Sequence, residues 1–164
     1  MYGIIATWRM ALEGISKADS MLKNNESAAD SIEEAIKAVE NFEYYKSVGY
    51  GGLPNEEMEV ELDAAFMDGD TLEFGCVGGI KDFANPVSIA RSLMHYDANN
   101  FLAGQGAEKY ASRHGFERKT MLTDRAKIHY HNRTKEITNT ELKPYSGHDT
   151  VGMVCLDTAG HMTC

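Results

Sequence analysis

Residues 151–157 read Val-Gly-Met-Val-Cys-Leu-Asp, an almost continuous apolar run. It shows no alternation with polar residues, which is the pattern of a strand buried in a core. A turn at Thr158–His161 follows, and Met162–Cys164 starts what should be the returning strand of a hairpin. Because the sequence ends inside that apparent strand, a continuation of the polypeptide is expected. A buried strand needs neighbours, and the rest of the chain has candidates. Tyr2–Ala6 is a short apolar run. Met58–Met67 sets Val60 and Leu62 against Glu59, Glu61 and Asp63, and Thr71–Val77 is a second run across the turn Asp68-Gly69-Asp70. Two such runs flanking Asp-Gly predict a β-hairpin. Phe101 and Leu102 add a short strand.

Helical spacing fills the intervals. Met10, Ile15, Ala18, Met21 and Leu22 predict a first helix with Thr7 as N-cap. Ser27 followed by Asp30 resembles a capping box, and Ala28, Ile32, Ala35, Ile36 and Val39 continue at helical spacing. Asn85-Pro86 predicts a helix over 86–96 with Asn85 as N-cap and proline in the first helical position. Residues 106–113 form a shorter helix that ends at His114-Gly115. Between the second helix and the hairpin lies a loop in which Gly49, Gly51 and Gly52 allow positive φ and Pro54 blocks helix. Glu117–Tyr145 is polar and reads as a linker, with a helix near Thr123–Arg133.

The chain has 164 residues, which suits a single domain, and 43% hydrophobic residues, enough to bury a core. Its net charge of −9 repels phosphate backbones, so no nucleic-acid partner is expected. No window is apolar enough to span a membrane and no leader is visible, so a cytoplasmic location is expected, with a periplasmic or secreted one the alternative if a leader was removed. Cys76, Cys155 and Cys164 are odd in number and widely spaced, which fits neither a disulfide framework nor a zinc pattern. His129 and His131 would share a face if they lay on a strand, but no third metal ligand is evident, so no metal site is predicted. The glycine loop lacks the G-x4-G-K-[ST] pattern of a phosphate loop. Glu56, Glu57, Glu59 and Glu61 read as a solvated face.

Thr150 opens the apolar strand. Taken alone, a threonine there is a β-former with a satisfied hydroxyl. Its context says more. Thr7–Trp8, Gly49–Asn55 (GYGGLPN), Val60–Gly69 (VELDAAFMDG), Val77–Arg91 (VGGIKDFANPVSIAR), Gly147–Val154 (GHDTVGMV) and Asp157–Met162 (DTAGHM) run in one order over nearly the whole chain. Together they resemble the glycosylasparaginase branch of the N-terminal-nucleophile asparaginase family. The His148-Asp149 pair before the threonine is similar to that branch rather than to plant-type isoaspartyl peptidases.

The resemblance implies an α+β fold, the four-layer αββα sandwich, incomplete in this chain. It divides the chain into a 1–149 α-subunit-like part and a 150–164 start of a β-subunit-like part. It implies self-cleavage between Asp149 and Thr150, with Asp149 as proton acceptor and Thr150 as the catalytic nucleophile. It implies a substrate-binding role for Trp8, the only tryptophan. His148, beside the scissile bond, is expected to give structural support at the strand entry, with tuning of the cleavage the alternative. The expected substrate is a small amide, asparagine or N4-glycosyl-asparagine. No cofactor is expected, and the cleaved units are expected to associate as a heterotetramer. Asp63 is expected to be a buried structural carboxylate. Met58 stands where relatives usually have glycine, so a different loop bend is expected there. Two alternatives stay open: an isoaspartyl peptidase or L-asparaginase, and a truncated, non-catalytic remnant.

A threonine hydroxyl needs a base to act as nucleophile, and an N-terminal threonine carries one in its own α-amine, of ordinary pKa about 7.7–8.0.

Overall fold

The computed structural model describes residues 1–138 and 150–164. In chain order its elements are β1 (Gly3–Ala6), α1 (Leu12–Lys23), α2 (Ala28–Glu40), β2 (Glu61–Met67), β3 (Phe74–Lys81), α3 (Pro86–Leu93), β4 (Phe101–Ala103), α4 (Gln105–Arg113), α5 (Asp124–Thr138), β5 (Met153–Leu156) and β6 (Met162–Thr163). The protein is therefore α+β.

The apolar run at 151–157 becomes β5, the middle strand of an antiparallel sheet ordered β1-β5-β6. The predicted hairpin forms β2 and β3, and β4 joins it parallel to β3. The two sheets meet edge to edge where Met67 and Cys164 exchange both backbone hydrogen bonds, at 2.7 and 3.0 Å. Strand β3 extends through Gly78–Lys81, beyond the predicted end at Val77.

Helices cover one face. Helix α2 lies on β5 and β6, and α3 on β2 and β3. Leu22, Ile32, Ala35, Val39, Phe66, Ile80, Ile89 and Leu93 form the buried core between them. Close approach depends on glycine at two points: a Cβ on Gly14 would overlap the Ala35 carbonyl of α2, and one on Gly75 the Ala90 carbonyl of α3. The other face stays open. Met153 and Cys155 are buried against helices, whereas Val154 is 43% exposed and Ile5, its partner across β1, is 77% exposed. So β5 is buried on one side and not on both.

Four local expectations change. Thr7 does not cap a helix but continues the β1–β5 ladder, and a short 3-10 turn at Arg9–Ala11 leads into α1. Asn85 precedes α3 at φ 50 without a side-chain cap bond. Helix α3 ends at Leu93, three residues short of the predicted end. The polar segment after Glu117 is anchored: Met121 and Ala126 are buried, and the Thr123 hydroxyl accepts the Ala126 N–H at 3.2 Å to start α5. Among the described residues no helix is long and apolar enough to cross a membrane.

Candidate active site

Thr150 is exposed and stands three residues before β5. The strand end that carries it is held by Thr7. The Thr7 N–H donates to the Gly152 carbonyl at 2.8 Å, and the Thr7 hydroxyl accepts the Gly152 N–H at 2.8 Å. The hydroxyl is needed because the backbone turns away at the next residue. Trp8 has φ 62 and ψ 155, an uncommon conformation for a side chain of that size.

Thr150 opens onto a cavity of about 580 Å³. Its walls are β2 and the Thr150–Met153 segment; Ile32, Ile36 and Glu40 of α2 and the start of α3 form the floor, and Ser47–Gly49 the rim. The rim is fixed by backbone contacts. Gly49 has φ 61, and a Cβ there would overlap the Glu40 carbonyl, so only glycine allows the loop to lie against the end of α2. The Tyr50 N–H donates to that carbonyl at 2.7 Å. Gly51 is also left-handed, at φ 82, whereas Gly52 is not.

Glu40 is the residue that the sequence reading missed. It is 3% exposed, and its carboxylate accepts the Val87 N–H and the Asn85 side-chain amide, each at 3.1 Å. It thus caps α3 from outside, in the role expected of Asn85. Burial raises its pKa to about 7, against the two hydrogen bonds that favour the charged form. One signal in the sequence pointed to it. Ile32 and Ile36 lead at i+4 steps to position 40, so a glutamate there continues an apolar stripe.

The other expected residues fall as follows. Asp149 and His148 lie outside the described residues. Trp8, 49% exposed, lies at the same end of the β1–β5 pair as Thr150 but does not line the cavity. Asp63 is exposed rather than buried. It remains structural, since its carboxylate accepts the Gly79 N–H at 2.8 Å beside the register shift between Leu62 and Ala64. Met58 takes φ 62, the left-handed region that glycine favours, so it keeps a glycine-like bend. His129 and His131 are on helix α5, where a two-residue step turns them to different sides, not on a strand. Among the described residues no cluster of metal-ligating side chains occurs.

Asp157 ties the end of the chain to its start. One carboxylate oxygen accepts the Ala28 N–H at 3.1 Å, and the other accepts those of Ala159 and His161 at 3.0 Å. Burial pushes its pKa up, but these three donors outweigh it and hold the carboxyl below its ordinary value. The motif Asp157–Met162 is thus a turn clamped on the start of α2.

Comparison with known proteins agrees with this arrangement. The family model described as Asparaginase matches residues 6–164. The chain is 31% identical over 160 residues to an N(4)-(beta-N-acetylglucosaminyl)-L-asparaginase of Elizabethkingia miricola, covering 98% of this chain and 47% of that protein. It is 36% identical over 159 residues to an isoaspartyl peptidase/L-asparaginase of Mus musculus, covering 92% and 48%. It is 41% identical over 98 residues to a plant-type L-asparaginase of Pyrococcus horikoshii, covering 60% and 32%. The chain spans about half the length of the first two of these relatives. A motif order kept from the first strand to the last, together with a family match over residues 6–164, establishes that the chain belongs to the asparaginase family.

Proposed function

We propose that this chain is the N-terminal part of a threonine amidohydrolase that cleaves itself between Asp149 and Thr150 and then hydrolyses the side-chain amide of asparagine or N4-glycosyl-asparagine. The observation that carries the reading is the position of Thr150: exposed, at the start of a strand pinned by Thr7, and on the wall of the 580 Å³ cavity. A nucleophile must be accessible and held in one place, and those contacts supply both.

In the first step the Thr150 hydroxyl adds to the Asp149 carbonyl carbon. The C–N bond breaks as the ester forms, and the proton from the hydroxyl ends on the freed amine. Water then hydrolyses the ester. It leaves a carboxylate on Asp149 and a free α-amine on Thr150. In the second reaction that amine takes the hydroxyl proton while the oxygen attacks the side-chain amide carbon of the substrate. Ammonia or a glycosylamine leaves with a proton. Water releases aspartate from the resulting β-aspartyl ester.

In this proposal Trp8 flanks the entrance and contacts substrate, residues 1–149 and 150 onward become separate subunits, and the completed protein is a four-layer αββα sandwich that pairs into a heterotetramer. The open sheet face carrying Ile5 and Val154 supports the sandwich, because a second sheet would cover it. The match to isoaspartyl peptidase/L-asparaginases favours a second reading of the substrate, a β-aspartyl peptide.

Mass spectrometry tests cleavage: two fragments meeting at Asp149–Thr150 are expected from the natural full-length protein, and intact Thr150→Ala. Assays of that protein with asparagine, N4-glycosyl-asparagine and a β-aspartyl dipeptide rank the substrates. An unbroken natural protein, or turnover that persists in Thr150→Ala, would refute the mechanism.

A further inference from the structure

A second cavity, of about 300 Å³, lies where β3 ends, and it shares no lining residue with the cavity beside Thr150. Charge dominates its walls. Lys81 closes β3 and Asp82 follows it, Glu59 approaches β2, Glu108 stands in the first turn of α4, and Arg118 comes from the segment after α4.

The segment that carries Arg118 is fixed in place. Arg118 and Phe83 face each other in an antiparallel bridge. On either side the Ala84 N–H donates to the Glu117 carbonyl and the Lys119 N–H to the Asp82 carbonyl, each at 3.0 Å. The Arg118 guanidinium lies over the buried Phe83 ring, 5.8 Å from its centroid. Such a contact uses the flat face of the group and leaves its N–H edges to meet an acceptor.

The polar groups of the cavity are unevenly matched. Lys81 is paired with Glu59 at 2.9 Å. That bond raises the Lys81 pKa, and the nearby charge of Glu108 adds to the effect. Among the described residues, neither the Arg118 guanidinium nor the Asp82 carboxylate has a hydrogen-bonding or ion-pair partner of its own. Oε1 of Glu108 is shut away from solvent without a donor. A carboxylate short of donors gains more from an added cation than a fully solvated one does.

These features narrow the ligand. Two cations in the walls disfavour a metal ion, and among the described residues no set of metal-ligating side chains occurs. Three carboxylates disfavour a phosphate or polyphosphate. The volume is at the small end of ligand pockets. A small solute that carries both charges matches both halves of the wall.

We infer that this cavity is a binding site for a free α-amino acid, whose carboxylate pairs with Arg118 and whose ammonium group pairs with Glu108 and Asp82. The planar guanidinium suits a carboxylate because it can donate two parallel bonds. With one more carboxylate than cation in the walls, the site favours a neutral side chain over that of aspartate or glutamate. The site is separate from Thr150 and does not depend on its role as nucleophile.

The test uses the natural full-length protein carrying Thr150→Ala, so that neither cleavage nor turnover contributes, and isothermal titration calorimetry as readout. L-Alanine, which has no side-chain amide, is the probe. It is expected to bind saturably at one site per chain. Alaninamide lacks the carboxylate, N-acetylalanine lacks the ammonium group, and L-aspartate adds a negative charge; each is expected to bind at least about tenfold more weakly. Arg118→Gln and Glu108→Gln, added singly, should weaken alanine binding by a similar factor and leave the circular dichroism spectrum unchanged. The three analogues keep the test decisive if either variant misfolds. Absence of saturable alanine binding would overturn the inference. So would alaninamide and N-acetylalanine binding as well as alanine, a folded Arg118→Gln protein with unchanged affinity, or displacement of alanine by magnesium or inorganic phosphate at lower concentration, which would make the cavity an ion site.

Discussion

Thr7 holds Gly152 by three hydrogen bonds: its N–H donates to the Gly152 carbonyl at 2.8 Å, and its hydroxyl accepts the Gly152 N–H at 2.8 Å and donates to the Gly152 carbonyl at 3.4 Å. The side chain stands in for the backbone acceptor that the ladder loses when the chain turns at Trp8. Thr7→Val keeps the shape and removes the acceptor. It should speed exchange of the Gly152 amide at least tenfold and cost about 1 kcal/mol. Thr7→Ser should restore both values. If Thr7→Val exchanges like wild type at Gly152, the hydroxyl is not the acceptor in solution.

Glu40 makes stability depend on pH in a direction opposite to most carboxylates. Its folded pKa, about 7, lies above the ordinary 4.5 because it is buried, and the nearby Glu33 adds to that while Lys37 opposes it. The folded state therefore holds the proton that the unfolded state has lost. Stability falls as pH rises from about 4.5 to about 7, by up to roughly 3 kcal/mol. Glu40→Gln, which is neutral throughout, should lack this loss. Urea midpoints of both proteins at pH 5 and pH 8 check it. A wild-type-minus-variant difference that does not change between the two pH values contradicts the assignment.

Asp157 serves as cap and turn at once. Asp157→Ala strands the Ala28, Ala159 and His161 donors and should cost about 2–3 kcal/mol. Ser27→Ala removes the bond accepted from the Asp30 N–H and the hydroxyl's own bond to the Asp30 carboxylate, and should cost about 1 kcal/mol. The Asp157 carboxyl titrates below its ordinary value, so its stabilisation is complete above about pH 4 and disappears as pH falls further. Denaturant titrations of both variants order the two effects; equal costs would show that the second oxygen of Asp157 does nothing.

Met58 occupies a left-handed position at φ 62. Glycine there relieves about 1 kcal/mol of backbone strain but makes the unfolded chain freer. Met58→Gly is therefore expected to leave stability unchanged or raise it by up to about 1 kcal/mol, and Met58→Val to lower it by more than 1 kcal/mol. Thermal unfolding of the pair measures the sign.

Sequence alone determined the local elements whose pattern is self-contained. The Asp-Gly turn between alternating runs specified the hairpin, the apolar run after Thr150 specified β5, and Ser27 with its stripe of Ala28, Ile32, Ala35 and Val39 specified α2. The motif order from Thr7 to Met162 carried the family. Tertiary structure decided whatever depends on partners far apart in the chain. Helix α3 takes its cap from Glu40, 47 residues before Val87, because Asn85 is turned to φ 50. Asp157 caps α2 across 129 residues, and Thr7 reaches Gly152 across 145. Spacing patterns report on neighbours within a helix turn or a strand pair. A hydrogen bond between distant segments depends on how the layers meet, and that is settled only when the core closes.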